Sequence, residues 1–246
     1  MELSAYTFET LRQDGEFIVY RGQHQRQTDA SPPSILVMTP VSERPALGSL
    51  RRMEHEYSLR AEHDSAWAVR PLALAPHKGR TMLVLTDPGG EPLDRLPGRP
   101  MELTQFLRLA VGLSAAVGQL HGRGLIHKDI KPANVLVNGA NNQVWLMGFG
   151  IASRLPRERQ APAPPESIAG TLAYMAPEQT GRMNRSIDSR SDLYSLGVTL
   201  YQMLTGSLPF TASDPMEWVH CHIARKPVPP SERLKDVPAP VSAIIT

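Results

Sequence analysis

His127-Lys128-Asp129-Ile130-Lys131-Pro132-Ala133-Asn134 decides how this chain is read. An Asp, a Lys two residues on and an Asn five residues on share one short stretch. It follows a helical apolar stripe and precedes two short strand candidates. These side chains suit phosphoryl transfer. The Asp orients or accepts a hydroxyl proton, the Lys neutralises charge on the moving group, and the Asn offers a metal an oxygen. Two more stretches follow, Gly170-Thr171-Leu172-Ala173-Tyr174-Met175-Ala176-Pro177-Glu178 and Ser191-Asp192-Leu193-Tyr194-Ser195-Leu196-Gly197.

Upstream of the deciding stretch, Phe106, Leu107, Ala110, Leu113, Val117 and Leu120 form the stripe of a long helix ending at Gly122. Downstream, Val135–Val137 and Val144–Leu146 flank Asn138-Gly139-Ala140-Asn141-Asn142, which predicts a β-hairpin. Leu193, Leu196, Leu200 and Leu204 mark a second buried helix, stopped by Gly206 and Pro209. Asp214-Pro215-Met216-Glu217 reads as a helix start, with Asp as N-cap, Pro at N1 and Glu at N3. Val241–Ile245 reads as the beginning of one more helix. The first third predicts strands at Glu16–Arg21, Ser34–Thr39 and Thr81–Thr86, with an amphipathic helix over Ala46–Ala61. The breaker cluster Asp87-Pro88-Gly89-Gly90 marks a lobe boundary.

Composition narrows the function classes. The 246 residues are 41% hydrophobic and 20% charged, ordinary for a soluble globular domain. The formal net charge is +2 and no run of five like charges occurs, so nucleic acid is not the expected partner. The single cysteine, Cys221, excludes an internal disulfide and points to a reducing compartment. Met1–Gly15 carries no signal-peptide pattern, and Leu107–Leu120 is too short and amphipathic to span a bilayer. A cytoplasmic location is the expectation.

Taken together, the three quoted stretches resemble the eukaryotic-type Ser/Thr protein kinase family. The resemblance runs over nearly the whole chain and is densest from Leu120 to Phe210. It implies an α+β, bilobal protein-kinase fold. An antiparallel β N-lobe with one helix would span 1–86, and a mainly helical C-lobe 87–246, stopping before the fold's last helices. It implies Asp129 as the catalytic-loop aspartate, with Lys131 and Asn134 as its companions and Asn134 also a metal ligand. It gives structural roles to Glu56, His127, Phe149, Thr171, Glu178 and Asp192, the last bracing the catalytic loop through backbone N–H groups. It puts Leu11, Val19, Leu85, Asp87 and Leu136 around an adenine pocket, with ATP as the family's cofactor. Lys131 and Gly170-Thr171 resemble the Ser/Thr branch rather than the Tyr branch. Thr180-Gly181-Arg182-Met183-Asn184-Arg185 and the segment Asp214–Ile223 are similar to a narrower group, the kinase-like domains at the N-termini of large bacterial hybrid sensor histidine kinases. That likeness implies a regulatory module whose partners are other domains of a signalling protein or a protein substrate.

The sequence departs from this pattern wherever a triphosphate or metal would be held. The strand lysine that grips the nucleotide falls at Val37 or Met38, and the first lysine in the chain is Lys78. Its glutamate partner, Glu56 with Glu54 as the alternative, is left without it. Arg12, Asp14 and Phe17 stand where the phosphate loop's three glycines belong, with Gly15 off-pattern. Side chains there, the anionic Asp14 above all, oppose the approach of phosphate to backbone N–H groups. The metal-binding Asp-Phe-Gly is Gly148-Phe149-Gly150, and no Asp or Glu follows between Ile130 and Arg157. Asn134 alone is a poor Mg²⁺ anchor, because such sites rely on carboxylates and substrate phosphates. The sequence therefore reads as a pseudokinase, with a weakly active atypical kinase or an adenine-sensing module as rivals.

Minor signals carry less. Lys128 could meet an activation-loop phosphate as a point charge, and Ser167 is a candidate phosphosite. Pro156–Pro165 reads as an extended loop. His220 and His222, at i and i+2 on a helix, do not share a metal-ligand face.

Overall fold

β-Branched and aromatic residues in the first third build an antiparallel sheet. A computed structural model of the chain describes residues 2–26, 33–77, 79–95, 99–155, 170–183 and 185–246. Lys78, Ser167 and the Pro156–Pro165 stretch lie outside the described residues. The strands are β1 (Tyr6–Gln13), β2 (Phe17–His24), β3 (Ile35–Pro40), β4 (Pro71–His77) and β5 (Arg80–Thr86), in the spatial order β1-β2-β3-β5-β4. Three of them match the expected strands. The two not foreseen, β1 and β4, are the sheet edges. β1 exposes Thr7 through Thr10 and so lacks an apolar alternation. β4 carries Pro71 and Pro76, which edge strands tolerate.

The central strand β3 is buried at all six positions, and its pleat sorts its side chains onto two faces. Leu36 and Met38 join Leu11, Val19 and Leu85. Ile35 and Val37 pack on the other face with Tyr6 and Val84. Helix α1 runs over Leu47–Ser58, shorter at both ends than Ala46–Ala61, and buries Met53 and Glu56.

After Asp87–Gly90 the chain becomes mainly helical. Gly90, at φ 81°, lies so close to the backbone of Val137 that a Cβ would stand 2.5 Å from its carbonyl oxygen. Short strands β6 (Glu91–Pro92), β7 (Leu125–Ile126), β8 (Val135–Val137), β9 (Val144–Leu146) and β10 (Ser153–Arg154) alternate with helices α2 (Leu103–Gly122), α3 (Ser189–Thr205), α4 (Pro215–Ala224), α5 (Pro230–Arg233) and α6 (Ala239–Ile245). β8 and β9 form the expected hairpin, with Leu136 opposite Trp145.

Helix α2 is capped by Glu102, whose carboxylate accepts from the Thr104 and Gln105 N–H groups. By length and composition α2 could cross a membrane, yet it lays Phe106, Leu109, Leu113, Val117 and Leu120 into the C-lobe core. Leu107, expected in that stripe, points outward, as does Leu193 on α3. Asp214 caps α4 as expected, accepting from Met216 and Glu217 N–H groups. Glu217 reaches back to Ser213 rather than to the cap residue.

Candidate functional site

The deciding stretch forms a tight loop between β7 and β8, and Asp192 holds it from below. Asp192 is fully buried at the start of α3. It accepts from the His127 and Lys128 N–H groups at 2.8 Å each and meets His121 Nε2 at 2.9 Å. This bracing holds Lys128 at φ 70°, a conformation a lysine seldom adopts. Gln179 supports the same residue by donating to the Lys128 carbonyl at 2.8 Å. His127 is wholly buried, and desolvation lowers its pKa. Its neutral ring is satisfied on both sides. Nδ1 accepts from the Asp129 N–H, and Nε2–H donates to the Met147 carbonyl.

Asp129 is surrounded by donors. Its Oδ1 accepts from the Thr171 N–H at 3.0 Å and hydroxyl at 2.9 Å. Its Oδ2 accepts from the Asn134 amide at 2.9 Å and pairs with Lys131 Nζ at 2.9 Å. Lys131 also donates to Thr171 Oγ1 at 2.6 Å. The catalytic-loop trio and the activation-segment threonine thus form one closed network. Glu178 accepts from the Ser191 hydroxyl at 2.5 Å, a partner within the C-lobe.

The residue after Met147 has lost more than a carboxylate. Gly148 sits at φ 81°, and a Cβ there would lie 2.8 Å from Asn134 Oδ1 and 2.9 Å from its Cγ. Asn134 occupies the space an aspartate side chain would need. Among the described residues no group of three His, Cys, Asp or Glu could hold a metal ion, and both Asp129 oxygens are already engaged. The residues present do not fit the family's Mg²⁺.

On the N-lobe bank the two positions left open resolve cleanly. Met38 faces the cleft and Val37 turns away, so Met38 holds the lysine's place. Glu56 is buried on α1 and lines the cleft, whereas Glu54 is exposed. Burial raises the Glu56 pKa to about 7, against hydrogen bonds from the Phe149 and Gly148 backbone and the charge of Arg12. Phe149 is packed between His127, at 4.7 Å, and His63, at 4.1 Å between ring centroids. Burial lowers the His63 pKa to about 4.

The phosphate loop is occupied by its own side chains. Asp14 Oδ1 accepts from the Glu16 and Phe17 N–H groups at 2.8 and 2.7 Å, donors a phosphate would otherwise take. A β-bulge between Thr10 and Arg12 breaks the alternation of β1. Such a bulge re-aims side chains. Leu11 enters the apolar cluster, and its neighbour Arg12 lines the cleft as well. The sequence reading treated Arg12 only as an obstacle. Its place in the cleft depends on the bulge, which leaves no residue-type signal.

Leu11, Val19, Leu85 and Leu136, expected around adenine, meet in one cluster with Leu36, Met38 and Met147. None of the seven is more than 4% exposed. Asp87 lies beside them under an arginine latch. Arg21 Nε reaches Asp87 Oδ2 at 2.9 Å, and its Nη atoms reach Glu91 at 2.8 Å and the Gly90 carbonyl at 2.5 Å. Arg95 bridges Glu91 at 2.7 Å and the Thr10 carbonyl of β1 at 3.0 Å, tying the two lobes at the same edge. A cavity of about 510 Å³ opens between Arg12, Glu56, Asp129 and Asn134.

Comparison with known proteins meets this geometry from outside. The chain is 36% identical over 146 residues to the serine/threonine-protein kinase PknB of Mycobacterium tuberculosis, covering 59% of this chain and 23% of that protein. It is 30% identical over 209 residues to the serine/threonine-protein kinase pkn3 of Myxococcus xanthus, covering 82% of this chain and 38% of the relative. The chain thus spans well under half the length of either relative. The family model for the protein kinase domain matches residues 42–240. That match takes in α1, the hinge, the braced catalytic loop and the activation-segment anchor, and the chain belongs to the protein kinase family.

Proposed function

We propose that this domain is a pseudokinase, a regulatory module of a larger bacterial signalling protein that keeps the kinase shape without transferring phosphate from ATP. One observation carries the reading. Leu36 and Met38 from β3 share one buried cluster with Leu136 from β8 and the other residues expected around adenine, and we read that cluster as an adenine slot filled by the chain's own side chains. Burying a leucine is worth about 2 kcal/mol, so opening this slot for a purine would forfeit several such contributions. The crowding of Gly148 by Asn134 and the loss of the lysine at Met38 support the same reading. Losing one preorganised electrostatic group costs about 10²–10³ in rate, and here the metal carboxylate and the phosphate lysine are both absent. Likeness to hybrid sensor histidine kinases at Thr180–Arg185 and Asp214–Ile223 favours neighbouring signalling domains as partners, in the cytoplasm.

The alternative reading is a weakly active atypical Ser/Thr kinase. The closed network of Asp129, Lys131, Asn134 and Thr171 favours it. Titration calorimetry with ATP, with and without Mg²⁺, joined to a phosphate-transfer assay on Ser/Thr peptides, separates the two. The pseudokinase reading expects no nucleotide binding and no transfer. Transfer that disappears in Asp129→Asn establishes the alternative.

A further inference from the structure

Two arginines and two carboxylates balance one another where the lobes join. Arg21, on β2, forks across the hinge. Its Nε reaches Asp87 Oδ2 at 2.9 Å and its Nη1 reaches Glu91 Oε1 at 2.8 Å. Its Nη2 reaches the Gly90 carbonyl at 2.5 Å and Asp87 Oδ1 at 3.4 Å. Glu91 is shared, because its Oε2 accepts from Arg95 at 2.7 Å. Arg95 in turn donates to the Thr10 carbonyl of β1 at 3.0 Å. The network thus passes between the lobes twice, once at β2 and once at β1.

Burial divides it into an inner and an outer half. The Asp87 side chain is 2% exposed and that of Arg21 18%, whereas those of Glu91 and Arg95 are about half exposed. A carboxylate taken out of water depends on its partner, since losing that partner leaves an uncompensated buried charge. Arg21 answers with a planar fork on two carboxylates and a carbonyl, a geometry that an ammonium does not reproduce. The outer pair of Arg95 and Glu91 lies within reach of solvent ions and is screened by salt.

Strand register shows what the network clamps. Arg21 stands opposite Leu36 on β3, and Pro92, the neighbour of Glu91, stands opposite Leu136 on β8. Leu36 and Leu136 belong to the one buried cluster that draws on both lobes. We infer that the Arg21–Asp87–Glu91–Arg95 network is an interlobe latch that fixes the lobe angle by the chain's own charges, without a ligand. Arg21–Asp87 is its buried bolt and Glu91 its solvent-accessible keystone. The latch does not depend on the pseudokinase reading, which ATP binding and phosphate transfer test separately.

The test is the interlobe distance, read by pulsed electron spin resonance between labels on Leu47→Cys in α1 and Val111→Cys in α2. Leu47 is 71% and Val111 70% exposed, and the native Cys221 is fully buried, so the labels go to the introduced thiols. The unliganded chain is expected to show one narrow distance, at low ionic strength and at about 1 M salt, where the Debye length is about 3 Å. Arg21→Gln is expected to lose that peak to a broad distribution shifted to longer distances, with Arg21→Lys in between. Glu91→Gln is expected to broaden the peak less, because the bolt remains. A broad distribution in the wild type, or a wild-type peak lost at high salt, overturns the inference. So does an unchanged peak in Arg21→Gln or, should that variant fail to fold, in both Arg21→Lys and Glu91→Gln.

Discussion

The two banks of the cleft are built differently. On the C-lobe bank side chains tie the catalytic loop from both sides, from Asp192 beneath the backbone to Thr171 above Asp129. On the N-lobe bank the same fold is built from unlike residues. Leu36 and Met38 fill, Arg12 intrudes by a bulge, and Asp14 takes the loop's N–H groups for itself. The protein kinase family model begins its match at residue 42, two residues beyond the end of β3. Sheet geometry survives such replacement because a strand asks only for alternating burial and paired backbone. A loop held by buried side chain–backbone bonds does not, because each acceptor answers to a particular N–H.

The contrast predicts where the molecule is least tolerant. Asp192→Ala strips the acceptor from two buried backbone N–H groups and from His121. Each unsatisfied buried donor costs about 1–3 kcal/mol, so the loss is expected near ~4 kcal/mol in urea unfolding. For a domain of this size that is a fall of roughly 10 °C in Tm. A loss below ~1 kcal/mol would break the claim that the C-lobe bank is the rigid one.

Across the cleft, two buried titratable groups oppose each other with pH. Glu56 has its pKa raised by burial to about 7. The folded state holds that proton longer than the unfolded chain, so stability falls as pH rises from about 4.5 to 7 and is level beyond. His63 has its pKa lowered by burial to about 4. It must shed its proton to fold, so its contribution is present above pH 6.5 and is lost as pH falls to about 4. Each effect is worth about 3 kcal/mol, and in the wild type the slopes largely cancel between pH 4.5 and 6.5. Glu56→Gln is therefore expected to gain stability over the wild type as pH rises through that window. His63→Phe is expected to gain as pH falls. Denaturant midpoints between pH 4 and 8 check both, and parallel curves for all three proteins would contradict the burial of either group.

How much of this was legible in the residues follows the same division. The catalytic loop, its aspartate brace, the β8–β9 hairpin and the helix capped by Asp214 could be read because their residue types are dictated by bonds they must make. The edge strands β1 and β4 could not, since an exposed or proline-bearing edge lacks period-two patterning. The choice between Val37 and Met38 needed the pleat, and Arg12 in the cleft needed the bulge. The burial of the residues expected around adenine was hidden for another reason. Leucine at 36 and methionine at 38 are ordinary strand residues, and only their sharing a buried cluster with Leu136 of the other lobe gives them the part of a plug in the proposed reading.

That plug also sets the limit of simple repair. Restoring the family's missing groups by Met38→Lys with Gly148→Asp supplies a cation and a carboxylate, but leaves Leu36 in one buried cluster with Val19 and Leu136. It also forces a side chain onto a φ of 81° with Asn134 within 2.9 Å of the new Cβ. Left-handed backbone at a non-glycine residue costs about 1–3 kcal/mol, and the lysine trades an apolar place in the cluster for a charge. The double variant is expected to lose about 2 kcal/mol or more and still show no Mg²⁺-ATP binding by calorimetry. If it gained ATP binding, the defect would lie in the two missing charges alone. The closed slot would then be a resting arrangement that a nucleotide can open, and the two banks would differ in charge rather than in shape.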